Sequence, residues 1–247
     1  MLVDTHCHIH EIDWPLDIAE TLGRAKQGGV SEMICVGTSI DSSERAIAFS
    51  TQYPQAFASV GVHPHDTKDG YDLRSLALSD KVVAVGEIGL DYYYDNSPRD
   101  VQIAALKVQI EFALEHNLPI IFHVRDAFDD FWPIFDSYAG IRGVLHSFTD
   151  SQENLDKAIR RGLYIGINGI STFTKDLVEQ AMFMAIPLER LLLETDAPFL
   201  TPAPFRGKVN EPAFVKNVAE HAAKARNIDL QQLADATTAN VRALFAL

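Results

Sequence analysis

Leu2-Val3-Asp4-Thr5-His6-Cys7-His8 is a short apolar run that ends in two histidines, and its ending decides the fold. The run reads as a buried β-strand, expected over Leu2–Thr5. In a chain that alternates strands with helices, an open doubly wound sheet carries a glycine-rich phosphate loop directly after its first strand. A closed barrel instead carries chemical groups at its strand ends. Here that position holds imidazoles. Residues i and i+2 of a strand share a face, so His6 and His8 project together while Cys7 projects away and packs behind the strand. At a rise of ~3.3 Å per residue the two rings stand ~6–7 Å apart along the strand, close enough to close on one metal ion. Asp4 has the same parity and is expected to orient one of the rings.

Working outward, apolar β-rich runs recur at Leu2–Thr5, Glu32–Val36, Phe57–Val62, Val82–Val85, Ile120–Phe122, Gly143–Leu145, Leu163–Ile167 and Leu191–Leu193. Helical patterns separate them at Ile18–Gly28, Ser42–Tyr53, Leu73–Leu78, Arg99–His116, Ala127–Ala139, Ser151–Arg161 and Lys175–Ala185. Asp41 and Asp150 are expected caps, and Gly28 and Gly162 expected ends. A proline-rich loop, Ala197–Pro212, leads to two last helices at Ala213–Arg226 and Asp229–Leu244. Eight strands alternating with helices predict a TIM (β/α)8 barrel, with residues 1–247 as one hydrolase domain.

Composition narrows the function class. No apolar run reaches the ~20 residues a bilayer span needs. Two cysteines and no export-like N-terminal pattern lead to an expectation of reduced thiols and a cytoplasmic location. The formal net charge of −13 argues against a protein that coats duplex nucleic acid, which presents a basic face. It does not argue against an enzyme acting on a nucleic-acid end, because bound dications invert the local field.

Six of the eight expected strand ends carry metal-ligand residue types. They are His6 and His8; His63 in Val62-His63-Pro64-His65; Glu87; His123; His146; and Asp196 in Glu194-Thr195-Asp196. One histidine at a strand end is ordinarily a core residue, but six such ends together indicate a site. In a barrel, strands 8 and 1 are neighbours, which groups His6, His8 and Asp196 on one cation. Strands 5 and 6 group His123 and His146 on a second, and the two oxygens of Glu87 can bridge. Imidazole and carboxylate ligands suit Zn²⁺, Mn²⁺, Ni²⁺ or Mg²⁺ alike. Two such ions about 3.5–4 Å apart share a hydroxide and stabilise attacking and leaving oxygens, which is machinery for hydrolysis. Asp196 is the expected base toward the attacking water.

The motifs Asp4-Thr5-His6-Cys7-His8, Gly61-Val62-His63-Pro64-His65, Gly86-Glu87-Ile88-Gly89-Leu90-Asp91-Tyr92, His123-Val124-Arg125-Asp126-Ala127, His146-Ser147-Phe148 and Glu194-Thr195-Asp196-Ala197-Pro198 resemble the TatD family of metal-dependent deoxyribonucleases, within the amidohydrolase-like barrels. The resemblance covers nearly the whole chain and extends to Tyr92-Tyr93-Tyr94-Asp95-Asn96-Ser97-Pro98-Arg99 and Asn210-Glu211-Pro212. It implies His6, His8, Glu87 and Asp196 on one metal, Glu87, His123 and His146 on the other, and removal of nucleotides from 3′ ends of single strands. The chain departs from the family pattern at Val209, where an arginine is usual, and at His10, where an aspartate is usual.

The remaining candidates concern substrate. His63 is expected to contact substrate or move a proton, against a reading as a structural hydrogen-bonding residue. Arg125 shares a face with His123 and is expected to clamp phosphate, against an ion pair with Asp126 or Asp91. Arg206 and Lys208 are alternatives for a flanking phosphate, against solvated loop charges. Tyr92–Tyr94 either stack unpaired bases or cap the barrel. DNA ends or another phosphoester are the expected partners, with no membrane and no obligate protein partner. Hydrolysis of a small amide, lactone or phosphoester stays open on the same barrel chemistry, and a metal-holding scaffold without turnover is the third reading.

Overall fold

Strand β1 (Leu2–Cys7) is buried at all six residues, the two-sided burial that marks a parallel strand covered on both faces. The chain then runs α1 (Ile18–Gln27), β2 (Val30–Val36), α2 (Ile40–Gln52), β3 (Ala56–Val60), β4 (Val82–Asp91), α3 (Arg99–Glu115), β5 (Ile120–Arg125), α4 (Phe128–Asp136), β6 (Gly143–Leu145), α5 (Gln152–Arg160), β7 (Tyr164–Ile167), α6 (Ile170–Phe173), α7 (Leu177–Ala185), β8 (Leu191–Leu193), α8 (Val215–Ala225) and α9 (Leu230–Phe245). This computed structural model describes residues 1–94 and 96–247; Asp95, inside the Tyr92–Arg99 motif, lies outside the described residues. Strand order follows chain order from β1 to β8, and the fold class is the parallel (β/α)8 barrel. Among the described residues no helix is long and apolar enough to cross a membrane.

Contacts divide the chain into two compact units, residues 1–35 with 147–247 and residues 36–146. In the first, β1 pairs in parallel with β2, setting Asp4 beside Met33 and Cys7 beside Cys35. Cys7 also bridges Ala197, just past β8, and β7 pairs with β8 from Ile165↔Leu191 to Ile167↔Leu193. Helices α8 and α9 pack on β1 and β8. In the second unit β3, β4, β5 and β6 pair in succession.

Strand β4 runs six residues past the expected end at Val85, and β5 runs three past Phe122. Gly86 and Gly89 lie inside β4 as positions of close approach. A Cβ on Gly89 would lie 1.7 Å from the His123 carbonyl oxygen. The extension sets Gly89 beside His123 and Asp91 beside Arg125, so Glu87 and His123 lie inside strands rather than at their ends.

Local chemistry sets the helix ends. Asp17 caps α1 by accepting from the Glu20 amide at 2.9 Å, and Gly28 closes it. The caps of α2 and α5 are Ser39 and Ser151 rather than Asp41 and Asp150. Asp41 lies inside the first turn of α2, while Asp150 takes the amide and hydroxyl of Ser151 and the side-chain amide of Asn154. The expected helix at Leu73–Leu78 is one turn of 3-10 helix, Leu73–Ser75, and a second such turn, Thr67–Asp69, precedes it.

Candidate metal centres

In the first unit, three donors converge. His6 and His8 turn their Nε2 atoms to within 3.1 Å of each other. Oδ1 of Asp196 lies 3.6 Å from the first and 3.3 Å from the second. Backbone pairing sets this geometry: the Asp196 amide donates to the His6 carbonyl and the His8 amide to the Ala197 carbonyl, each at 2.8 Å. Asp196 itself takes a left-handed conformation, φ 58°, which aspartate tolerates better than most residues.

The expected role of Asp4 changes in detail. Its buried carboxylate accepts from the Thr195 amide at 2.9 Å, the Thr195 hydroxyl at 2.6 Å and the His6 amide at 3.3 Å. It thereby orients the main chain that carries His6 and Asp196. Burial pushes the Asp4 carboxyl well above the usual range, with the Thr195 bonds acting against that.

In the second unit, Oε1 of Glu87 lies 2.8 Å from His123 Nδ1 and 2.8 Å from His146 Nε2, and those two nitrogens lie 3.3 Å apart. His63 Nε2 comes to 3.4 Å from the same oxygen, and His63, Glu87 and His123 group as potential ligands of one ion. Burial raises the cost of the Glu87 charge, but the imidazoles of His146, His63 and His123 outweigh it and hold the carboxyl well below its usual range. His63 is driven the other way: burial lowers its pKa to about 4, with Glu87 opposing. It is therefore a neutral imidazole at neutral pH, with a lone pair to offer.

Both groups fit a divalent cation. Ligand atoms held ~2.0–2.2 Å from one ion stand roughly 2.8–3.6 Å from each other in tetrahedral or octahedral arrangements. The donor separations above span 2.8–3.6 Å.

Asp91 is the residue that sequence reasoning undervalued, naming it only as a potential partner of Arg125. Its Oδ2 lies 2.9 Å from His123 Nε2 and 3.0 Å from His65 Nε2. Oδ1 accepts from the amides of Tyr93 and Tyr94, each at 3.0 Å. A carboxylate on the far nitrogen of a ligand histidine fixes its tautomer and leaves the near nitrogen free to coordinate. Burial opposes ionisation of Asp91, but the bonds from His123 and the Tyr94 amide overcome it and lower its pKa. The parity of Glu87 and Asp91, four residues apart on one strand, was the available signal.

Other candidates separate in space. Arg125 is exposed, and its guanidinium lies over Tyr93 at 4.0 Å and Tyr94 at 5.0 Å. Among the described residues no ion pair joins it to Asp126 or Asp91. Arg206, in the first unit, stacks on Phe173 at 3.8 Å and donates to the Thr201 carbonyl at 2.8 Å; Lys208 lies over Phe205. Glu194 accepts from the Ser147 amide at 2.6 Å. Asn210 donates to the carbonyls of Thr195 and Phe199, and Glu211 takes Arg24 at 2.6–2.9 Å, so the Asn-Glu-Pro motif anchors the loop behind Asp196. His10 is buried with Nε2 3.3 Å from Glu11. Burial opposes its charge, but hydrogen bonds with Cys35 and Glu11 raise its pKa to about 9. Cys7 is fully buried against the Ile34 carbonyl.

Comparison with known proteins agrees with this chemistry. The family model of TatD-related DNases matches residues 3–246. The metal-dependent hydrolase YabD of Bacillus subtilis is 38% identical over all of both chains. The 3′-5′ ssDNA/RNA exonuclease TatD of Salmonella typhimurium is 37% identical over 93% of each. The crystal structure of the TatD homologue YJJV from Escherichia coli superposes with a TM-score of 0.91 at 29% identity, covering 100% of this chain and 98% of that one. With its donor sets and these likenesses in hand, the chain belongs to the TatD-related DNase family.

Proposed function

We propose that the protein is a divalent-cation-dependent exonuclease that removes nucleotides from the 3′ end of single-stranded DNA, with residues 1–247 acting as one hydrolase domain in the cytoplasm. The observation that carries this reading is the pair of donor sets, His6–His8–Asp196 and Glu87–His123–His146, each with the spacing of ligands around an ion. The Salmonella relative is a 3′-5′ ssDNA/RNA exonuclease, which supports the substrate.

His6, His8 and Asp196 would hold one cation and His123 and His146 a second, with Glu87 assigned to both as the strand pattern implies. Zn²⁺, Mg²⁺, Mn²⁺ and Ni²⁺ all suit these ligands. Cations bound there supply positive charge to the phosphodiester oxygens and acidify water. Asp196 accepts the proton of the attacking water and orients it, its carboxylate being the more solvent-accessible member of its group. His63, neutral and beside Glu87, contacts the substrate or relays to the leaving oxygen a proton that it takes up from solvent water. Arg125 and Arg206 are assigned to substrate phosphates.

The test is an end-labelled single-stranded oligonucleotide offered with Mn²⁺ or Mg²⁺ beside p-nitrophenyl esters and phosphates. Stepwise shortening from the 3′ end is expected, and Glu87→Ala is expected to lose it together with bound metal. Turnover of a small ester with the DNA left intact would overturn the nuclease reading.

A further inference from the structure

We infer that Tyr93 and Tyr94, under the guanidinium of Arg125, form a stacking platform for unpaired bases of the substrate strand, a reading that rests on the exonuclease assignment above. Tyr93 is 58% and Tyr94 45% exposed, unusual for aromatic side chains of that size. They are nonetheless held firmly. Both amides donate to the buried Asp91 carboxylate, the two rings meet edge to face at 4.8 Å, and Tyr94 meets His65 in the same way at 5.4 Å. Strand register sets Arg125 beside Asp91, and the guanidinium rests on Tyr93 at 4.0 Å.

An exposed, ordered π-face next to a cation matches one ligand chemistry in particular, a nucleobase with its phosphate. Stacking on aromatic side chains is indifferent to base identity because every base has a π-face. It also requires that the base be unpaired, which favours a single strand over a duplex. The platform hangs from the same carboxylate that binds His123 Nε2. A base seated there is therefore placed by the group that orients a candidate metal ligand. With a chain charge of −13, affinity must come chiefly from stacking and a few phosphate contacts, so its salt dependence is shallow, with a slope of about −0.7 per contacted phosphate.

The experiment uses oligonucleotides carrying 2-aminopurine at and near the 3′ end, with the full-length protein. Quenching of the probe on binding is read beside KM and kcat for strand shortening. Tyr93→Ala and the double change Tyr93→Ala/Tyr94→Ala are expected to lose the quenching and to raise KM roughly 5- to 150-fold, with kcat at saturation little altered. Tyr93→Trp is expected to restore both, which separates lost stacking from a lost fold. Wild-type quenching and KM in the double variant would overturn the platform and leave the nuclease reading intact. A fall in kcat at unchanged KM would overturn it too, pointing to a structural role transmitted through Asp91. Tyrosine-dependent quenching without any strand cleavage would instead sustain the platform and overturn the nuclease reading.

Discussion

Asp91 shows how much one carboxylate can organise: it meets the Nε2 atoms of His123 and His65 on one oxygen and two backbone amides on the other. In Asp91→Asn the side chain loses its charge and places an amide N–H on one side, where it faces other donors. Metal affinity in the Glu87 group is expected to fall about 10- to 100-fold, measured by Mn²⁺ titration calorimetry; an unaltered affinity would remove Asp91 from the site's support. Gly89 is constrained from another direction. With φ at +157° and the His123 carbonyl 1.7 Å from where a Cβ would sit, Gly89→Ala must push two backbones apart. A loss of at least ~1–3 kcal/mol is expected, visible as a lower midpoint in urea, and an unshifted midpoint would show that β4 and β5 relax freely.

At the scale of elements, the segment after β8 is held by side chains that sequence inspection identified only as a motif. Asn210 is buried and donates to the carbonyls of Thr195 and Phe199 on either side of Asp196. Asn210→Ala leaves two carbonyls without that donor, at a cost of about 1–3 kcal/mol, and loosens the Asp196 carboxylate. A melting scan should show a drop of roughly 2–12 °C, with metal uptake weakened as well; an unchanged scan would mean that water replaces the amide at no cost. Most strands and helices were legible because their apolar period is local, and β6 and β8 match their expected spans. The overlooked parts depend on partners far away in sequence. The full lengths of β4 and β5 need the facing backbone that Gly86 and Gly89 approach closely. Asp4 reads as a histidine partner from parity alone, until Thr195, 191 residues on, supplies closer donors. The donor sets were legible as residue types at strand ends, whereas the 2.8 Å approaches of His123 and His146 to Glu87 depend on register.

For the molecule as a whole, ions held at the two proposed donor sets would couple binding to stability. The donors of each set, such as His8 and Asp196 or His146 and Glu87, are brought together by folding and are apart in the unfolded chain. Saturation at about 100 times Kd contributes roughly 2.7 kcal/mol, so adding Mn²⁺ to chelator-treated protein is expected to raise the melting temperature by about 5–11 °C. No rise would count against both centres. The first unit has a further property: it is discontinuous, residues 1–35 with 147–247, and Asp4 is fastened to Thr195. Its two histidines are the first of the ligands to be synthesised, and their aspartate is the last. At roughly 5–20 residues per second a ribosome needs about 10–40 s to add the intervening stretch, within which residues 36–146 are made as a contiguous unit. His6 and His8 therefore precede Asp196 by most of the chain, and a cation shared by all three, as proposed above, is held by the full set only once that last donor has been made.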